Sequence, residues 1–162
     1  MTGKTHALAG ACAALALHGN GAEVVMATFG ALLPDVDTAQ SAAGQYAGLV
    51  AKILPHRGPT HGLLMLAIST FVNPWLGLGV LTHIILDMMT SAGVKLLWPW
   101  GKRIRLPLAK HVSNNGVVES VLQTALVVGC VLFCITSMDR FFSLDFSWLW
   151  NWAKSLLKCF GS

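Results

Sequence analysis

Apolar residues fill most of the chain in blocks, and short polar or proline-containing breaks separate these blocks. The breaks lie at 18–21, Pro34, 55–59 and 73–74. Proline and clustered glycine interrupt regular helices, so each block between two breaks predicts one helix. Thr60 is the expected N-cap of the third of these helices. The predicted helices cover residues 5–18, 22–33, 61–72, 75–92 and 117–137.

One block matches a membrane span in both length and composition. Residues 117–137 are almost wholly apolar apart from Glu119 near their start, and a span needs roughly 20 residues. The first two blocks are short for a bilayer core of about 30 Å. They either tilt little, enter only partway, or pack inside a shell of longer helices. For the segment 38–54 the sequence allows either a partly amphipathic helix or a loop.

The composition favours lipid as the solvent for much of this chain. Hydrophobic residues make up 54% of it and charged residues 11%, whereas a soluble domain is about 25% charged. The mean hydropathy is +0.63. The alternative is a soluble all-α domain with an unusually large core. We predict one membrane-embedded domain at 1–145 and a Trp- and Lys-rich amphipathic tail at the interface, at 146–162.

The basic residues are concentrated in one surface segment, 95–112. The net charge is +4, and the cluster consists of Lys95, Lys102, Arg103, Arg105 and Lys110. Nucleic-acid binders rarely combine such a cluster with so apolar a chain, so no nucleic-acid partner is expected. Anionic lipid head groups fit better, and the segment would then face the cytoplasm. The same charges could instead bind a phosphate-bearing substrate.

The acidic residues are few, and the positions of several of them suggest a functional role. Only seven residues are Asp or Glu, and several stand at or beside apolar helices, where ionisable groups usually mark function. His83 and Asp87 are four positions apart, so on a helix they project from one face. They form either part of a metal site or a His–Asp hydrogen bond inside a helix bundle.

A second candidate element surrounds a rigid turn. His56 and His61 flank this turn, and Gly58 and Pro59 limit its flexibility. Arg57 lies between the two histidines, and its planar guanidinium suits a phosphate or a carboxylate. The alternative is a polar loop with a capping histidine.

Four more ionisable residues stand at the ends of predicted apolar helices. Asp35 and Asp37 bind two different metals, or one binds while the other orients a ligand histidine. The alternative for them is a helix-terminating Pro-Asp turn. His6 begins an apolar helix, so its imidazole is expected to face the bundle or the interface. Glu119 begins the membrane span and is a ligand, a general base or a residue at the water boundary.

Three His/Asp clusters on separate apolar helices predict one shared polar centre. The donors are imidazoles and carboxylates, which suit zinc, manganese or iron. We predict one to three divalent ions, with zinc as the first choice. Two ions would activate a water and clamp a phosphoryl oxygen. The predicted catalytic residues are Asp37, Arg57 and Glu119, and the predicted metal ligands are His6, Asp35, Asp37, His56, His61, His83 and Asp87.

Four sequence elements, in this order, resemble the LexA-regulated, membrane-bound, metal-dependent hydrolases, also called the YdjM-like family. They are Thr5-His6 and the segments 30–37, 56–61 and 82–87. The resemblance covers roughly residues 1–120 and implies a multi-pass inner-membrane protein with hydrolase activity. A fainter similarity relates the 83–87 spacing to zinc-dependent phospholipases C and single-strand nucleases, which are all-helical phosphodiesterases.

We therefore expect an all-α, multi-pass membrane bundle of the bacterial inner membrane with an interfacial metal site. The expected reaction is hydrolysis of a phosphate ester, in a lipid, lipid-linked or small molecule, by a metal-activated water. The alternative is a non-enzymatic membrane protein with a transport or structural metal site. The first apolar block lacks a convincing cleavage site, so His6 is expected to be retained.

Overall fold

A computed structural model describes residues 1–37, 58–106, 116–136, 138 and 147–160. Within these ranges the protein is helical and has no strand, apart from an isolated antiparallel bridge between Val94 and Ile104. The all-α class is thereby confirmed for the described residues, whereas the predictions on 38–54, His56 and Arg57 lie outside them. The helices are α1 (Gly3–Ala16), α2 (Gly21–Leu32), α3 (Leu63–Val72), α4 (Pro74–Met88), α5 (Val117–Thr136) and α6 (Ser147–Phe160).

Two of the helices, α2 and α4, begin at side-chain N-caps that lie within the predicted polar breaks. Before α2, the Asn20 side chain accepts the Glu23 N–H at 3.1 Å, and the Glu23 carboxylate accepts the Asn20 N–H at 2.8 Å. This capping box satisfies donors that the first helical turn leaves free. Before α4, the Asn73 side-chain oxygen accepts two backbone N–H groups, and Pro74 takes the first helical position.

The prediction that Thr60 caps the third helix is wrong. Helix α3 begins at Leu63, and its N-cap is Gly62. Thr60 belongs to a short 3-10 helix, Pro59–His61, and its hydroxyl donates a 2.5 Å hydrogen bond to Asp37. An N-cap hydroxyl would accept a backbone N–H, whereas this hydroxyl donates to a buried carboxylate, and such charge-assisted hydrogen bonds are the stronger kind. The hydroxyl therefore ties two distant segments together.

Helix α4 lies at the centre of the bundle and packs against α1, α2 and α3, while α5 packs along α1. Glycines allow the closest of these approaches. A Cβ atom at Gly30 of α2 would overlap the carbonyl oxygen of Leu76, and one at Gly79 of α4 would overlap that of Ala27. Small residues at helix contacts bring two backbones close together in membrane bundles. This contact fixes the position of α4 relative to α2.

Helix α5 is the candidate membrane span. Of the helices in the described ranges, it alone is both long and apolar enough to cross a bilayer. Its 20 residues extend over about 30 Å, which is the thickness of the hydrocarbon core. Most of its large apolar side chains are exposed, as a lipid-facing helix requires. The apolar helices α3 and α4 are shorter, with 10 and 15 residues.

The predicted tail is helical, since α6 covers Ser147–Phe160 and is amphipathic. The Trp152 indole N–H donates a 2.9 Å hydrogen bond to the Phe71 carbonyl at the end of α3. The Lys154 ammonium lies 5.1 Å from the centroid of the Trp150 ring, within the range of a cation–π contact. Location of this helix at a membrane interface, and a domain boundary near 145, stay predictions.

Candidate metal centre

Four separate parts of the chain meet at one buried site. Helix α1 supplies His6 from its first turn, and the 3-10 helix Leu33–Asp37 supplies both of its aspartates. The 3-10 helix Pro59–His61 supplies His61, and the last turns of α4 supply His83 and Asp87. The three histidines are at most 1% exposed, so this cluster lies inside the protein rather than on its surface.

Two imidazole nitrogens face each other at the centre of the site. The Nε2 atoms of His61 and His83 are 3.1 Å apart. Oδ1 of Asp35 lies 3.8 Å from the first nitrogen and 3.7 Å from the second. Oδ2 of Asp87 lies 3.6 Å from the first and 4.0 Å from the second. Each of these two carboxylate oxygens therefore lies within 4.0 Å of both imidazole nitrogens.

These distances fit a divalent metal ion. Tetrahedral ligands at about 2.0–2.1 Å from zinc lie about 3.3–3.4 Å from one another, and the observed separations of 3.1 to 4.0 Å bracket that value. Two imidazole nitrogens approach so closely only when they share a proton or a cation. The donor set contains nitrogen and oxygen and no thiolate, which matches the predicted zinc, manganese or iron.

His6 extends the site to a second group of possible ligands. Its Nε2 lies 3.5 Å from Oδ1 of Asp87, and its ring stacks on that of His83 with centroids 3.8 Å apart. The set His6, His83 and Asp87 could hold an ion, as could the set Asp35, His61 and His83. His83 belongs to both sets, and the other oxygen of Asp87, Oδ2, lies 3.6 Å from Nε2 of His61.

An unsatisfied polar atom also points to a missing partner. Nδ1 of His6 is buried and has no hydrogen-bond partner among the described residues. A buried polar atom of this kind costs on the order of 1–3 kcal/mol unless something binds it. The imidazole faces Asp87 through Nε2, so a ligand bound at Nδ1 would remove this cost.

Hydrogen bonds behind the histidines orient their inward nitrogens. The Ala31 carbonyl, at the end of α2, lies 2.7 Å from Nδ1 of His83 and accepts a hydrogen bond from its N–H. Oδ2 of Asp37 lies 3.3 Å from Nδ1 of His61 and also accepts the Thr60 hydroxyl. In the neutral ring, with its proton on Nδ1, each Nε2 has a lone pair that faces the centre, and metal ligation requires this form of both histidines.

The carboxylates keep positive charge in the site. Burial disfavours the charged forms and is the largest single influence on the pKa values of Asp35 and His61. Ion pairing outweighs it: the neighbouring imidazoles hold the pKa of Asp35 below its usual value. Asp35 and Asp37 raise the pKa of His61 to about 9. The site thus favours a cation at its centre.

Glu119 is buried at the start of α5 and contacts the beginning of α1. Its Oε1 accepts the Thr5 hydroxyl at 2.6 Å and the Thr2 N–H at 2.5 Å. The Gln123 amide donates to both threonine hydroxyls. These bonds join the membrane span to the turn of α1 that carries His6, so the described hydrogen bonds of Glu119 position that turn.

The structure brings together six of the predicted residues: His6, Asp35, Asp37, His61, His83 and Asp87. His56 and Arg57 lie outside the described residues. Two threonines of the network, Thr5 and Thr60, lie within the matched family elements but are not among the predicted site residues. Each immediately precedes a candidate histidine. This signal is too weak alone, because Thr82 also precedes one and its hydroxyl donates to the Gly79 carbonyl of its own helix.

Comparison with known proteins places most of the chain in one family. Residues 1–153 match the family model described as YdjM inner membrane protein. The protein YvsG of Bacillus subtilis, named as uncharacterized, is 33% identical over 162 residues, which cover 88% of this chain and 100% of YvsG. The inner membrane protein YdjM of Escherichia coli is 35% identical over 115 residues, which cover 59% of each protein. The Shigella flexneri protein of the same name matches equally. No solved structure matches this chain.

Proposed function

The chain belongs to the YdjM inner membrane protein family, and we propose that it is a metal-dependent hydrolase that cleaves phosphate esters. The observation that carries this proposal is the pair of facing imidazole nitrogens, 3.1 Å apart, between two carboxylates. The resemblance to LexA-regulated, metal-dependent hydrolases supports the same reaction class. The substrate we propose is a lipid or lipid-linked phosphoester, because the family is located in the inner membrane.

We assign the ligand role to residues whose donor atoms face the centre. They are His6, Asp35, His61, His83 and Asp87, and we keep His56 as a further ligand from the adjoining segment. A divalent ion held there, with zinc as the first choice and one to three ions in all, would supply a bound water of lowered pKa. The Asp35 side chain is the most exposed of the described ligands, at 16%, and marks the side from which water and substrate enter.

The remaining residues position these ligands or the substrate. Asp37 lies behind His61, so we assign it the role of holding the imidazole rather than that of a direct ligand. Glu119 holds the first turn of α1, from which His6 projects. Arg57 immediately precedes Gly58 in sequence, and we propose that its guanidinium binds a phosphate oxygen of the substrate.

We further propose a multi-pass arrangement in which α1–α4 also enter the membrane. Helix α3 supports this, since Leu64, Ile68 and Phe71 are all more than half exposed although the helix is apolar. In water such a surface would favour aggregation, whereas lipid solvates it without cost.

Turnover after controlled metal loading tests the hydrolase proposal. We expect the detergent-purified protein, stripped with chelator and reloaded with zinc or manganese, to release phosphate or alcohol from a panel of lipid phosphomonoesters and phosphodiesters. Asp35→Ala should abolish turnover, whereas His18→Asn, a change at an exposed histidine away from the site, should not. Asparagine is chosen because His18 has a positive φ of 58°.

A structural metal site is the second candidate, and the complete burial of His61 and His83 favours it. This alternative predicts that metal removal lowers the melting temperature while no phosphoester is cleaved at any metal loading. Metal-dependent turnover that Asp35→Ala removes would exclude a purely structural role.

The positioning role of Asp37 yields a separate prediction. Asp37→Asn keeps the shape of the side chain but removes the charge behind His61, and we expect metal affinity to fall by about 10–100-fold. Asp35→Asn alters a direct ligand and should cost more. Affinities measured by competition with a fluorescent chelator decide between them, with Glu23→Gln in the distant capping box as the matched acid-to-amide control. An unchanged affinity in Asp37→Asn would remove Asp37 from the site.

A further inference from the structure

Residues 94–104 form a loop that is fixed at its base. Val94 and Ile104 exchange two backbone hydrogen bonds, of 3.1 and 2.8 Å. Gly93 and Gly101 have φ values of +63° and +98°, a conformation that glycine adopts without strain, and they turn the chain at the base and near the tip. We refer to this segment as the 94–104 loop.

The tip of the 94–104 loop exposes large apolar side chains. Trp100 is 80% exposed, Leu97 64% and Trp98 43%, whereas Leu96 packs beneath them against the cluster of Val80, Ile84 and Val94. A loop with two tryptophans and a leucine directed away from the core is unusual in water. Tryptophan is, however, the residue most typical of the boundary between lipid and water.

The same segment carries positive charge with no acid to offset it. Residues 93–106 include Lys95, Lys102, Arg103 and Arg105, and no Asp or Glu. The side chains of Lys102, Arg103 and Arg105 are exposed, next to the aromatic tip. Anionic head groups attract cations at the membrane surface, while tryptophan rings enter the adjoining layer. The positive charge and the aromatic side chains therefore both favour the anionic surface of a membrane as the partner of this loop.

Backbone hydrogen bonds connect this loop to the candidate metal centre. The Leu96 carbonyl accepts the Leu63 N–H at 2.8 Å, two residues after His61. The Met88 carbonyl accepts the Leu106 N–H at 2.8 Å, immediately after Asp87. The depth at which the loop lies in a membrane thus determines the depth of both ligands.

We propose that the 94–104 loop docks into the anionic head-group layer of the membrane and holds the metal centre at that depth. The docking follows from the loop and the inner-membrane location, and it does not depend on whether the centre is catalytic. If the proposed hydrolysis also takes place, this depth would give the site access to phosphoesters of lipid head groups rather than to acyl chains at mid-membrane.

Photo-crosslinking from the tip tests the docking. The photoreactive residue p-benzoyl-phenylalanine, placed at position 100, replaces one aromatic ring with another and leaves the cysteines intact. In nanodiscs of phosphatidylglycerol we expect lipid adducts, detected by mass spectrometry. Their yield should fall about fivefold or more when Lys102→Gln and Arg103→Gln are combined, or when phosphatidylcholine replaces the anionic lipid. The same probe at position 121, an exposed site on α5, should form adducts that neither change affects.

Three results would overturn the proposal. One is the absence of lipid adducts from position 100 while position 121 forms them. A second is a yield that responds neither to lipid charge nor to the glutamine variants. A third is a yield that inorganic phosphate suppresses more than sodium chloride of equal ionic strength, which would assign the cations to a soluble anion. Metal content and turnover are measured on the same nanodiscs. Loss of lipid adducts would contradict the docking proposal alone, whereas absence of turnover would contradict the hydrolase proposal alone.

Discussion

Replacing His83 and Asp87 together with alanine is expected to reduce the bound metal from about one ion per chain or more to background. Both residues are candidate ligands, and His83 belongs to both groups that could hold an ion. The double change removes two of the three candidate ligands in the group that contains His6 and one of the three in the group that contains His61. Few two-ligand sites retain a divalent ion through purification, so the loss should be nearly complete. Elemental analysis of detergent-purified protein measures it.

The helix itself should survive this double change. Alanine is the best helix former, so α4 keeps its helical propensity at both positions. Circular dichroism of the variant should therefore remain helical, which separates loss of metal from loss of fold. His18→Asn is the control histidine and should retain the full metal content. Equal metal in the double variant and the parent would leave these side chains as a hydrogen-bonded network within the bundle.

Gly79→Ala is expected to destabilise the protein and to reduce its metal content together. A Cβ at this position would overlap the Ala27 carbonyl, and backbone atoms cannot move aside without shifting a helix. Overpacking of this kind costs about 1–3 kcal/mol or more, which exceeds the gain of about 1 kcal/mol in helix propensity. Separation of α4 from α2 would also lengthen the 2.7 Å bond between His83 and the Ala31 carbonyl. Thermal unfolding and elemental analysis report the two effects.

A second glycine offers the matched control. A Cβ at Gly129 of α5 would lie 3.1 Å from the Cys12 sulfur, a side-chain atom that can shift. Gly129→Ala should therefore change the melting temperature little or raise it, and it should leave the metal content intact. If Gly79→Ala behaved like Gly129→Ala, α2 and α4 would not lie as close together as described. The α2–α4 contact would then not be what holds His83 against the Ala31 carbonyl.

Several predictions from the sequence are confirmed because they depend on local chemistry. Apolar blocks between proline and glycine breaks became helices, since those breaks act within one or two turns of the backbone. The 20-residue candidate span coincides with the predicted one through residue 136, because length and apolar content alone define such a helix, and residue 137 lies outside the described residues. The pairing of His83 with Asp87 follows from helix periodicity and required no knowledge of the fold.

The roles of Asp35 and Asp37 could not be separated without the tertiary structure. The sequence places two carboxylates beside one another and allows both to bind metal. In the fold, Asp35 faces the central nitrogens while Asp37 faces the opposite side of the His61 ring. The direction of each side chain depends on where the Pro59–His61 segment packs, and that segment is more than 20 residues away along the chain.

Sequence therefore determined the helical class, the candidate span, the inventory of imidazoles and carboxylates and the one ligand pair that lies within a single helix. Only the tertiary structure decided which groups share a centre and which hydrogen bonds orient them. The Ala31 carbonyl has no side-chain signal, and the Thr60 and Glu119 partners lie 23 and 114 residues from the atoms they bind. Such contacts arise from helix packing, which glycines at the α2–α4 crossing control, and packing leaves no periodic pattern in a single sequence.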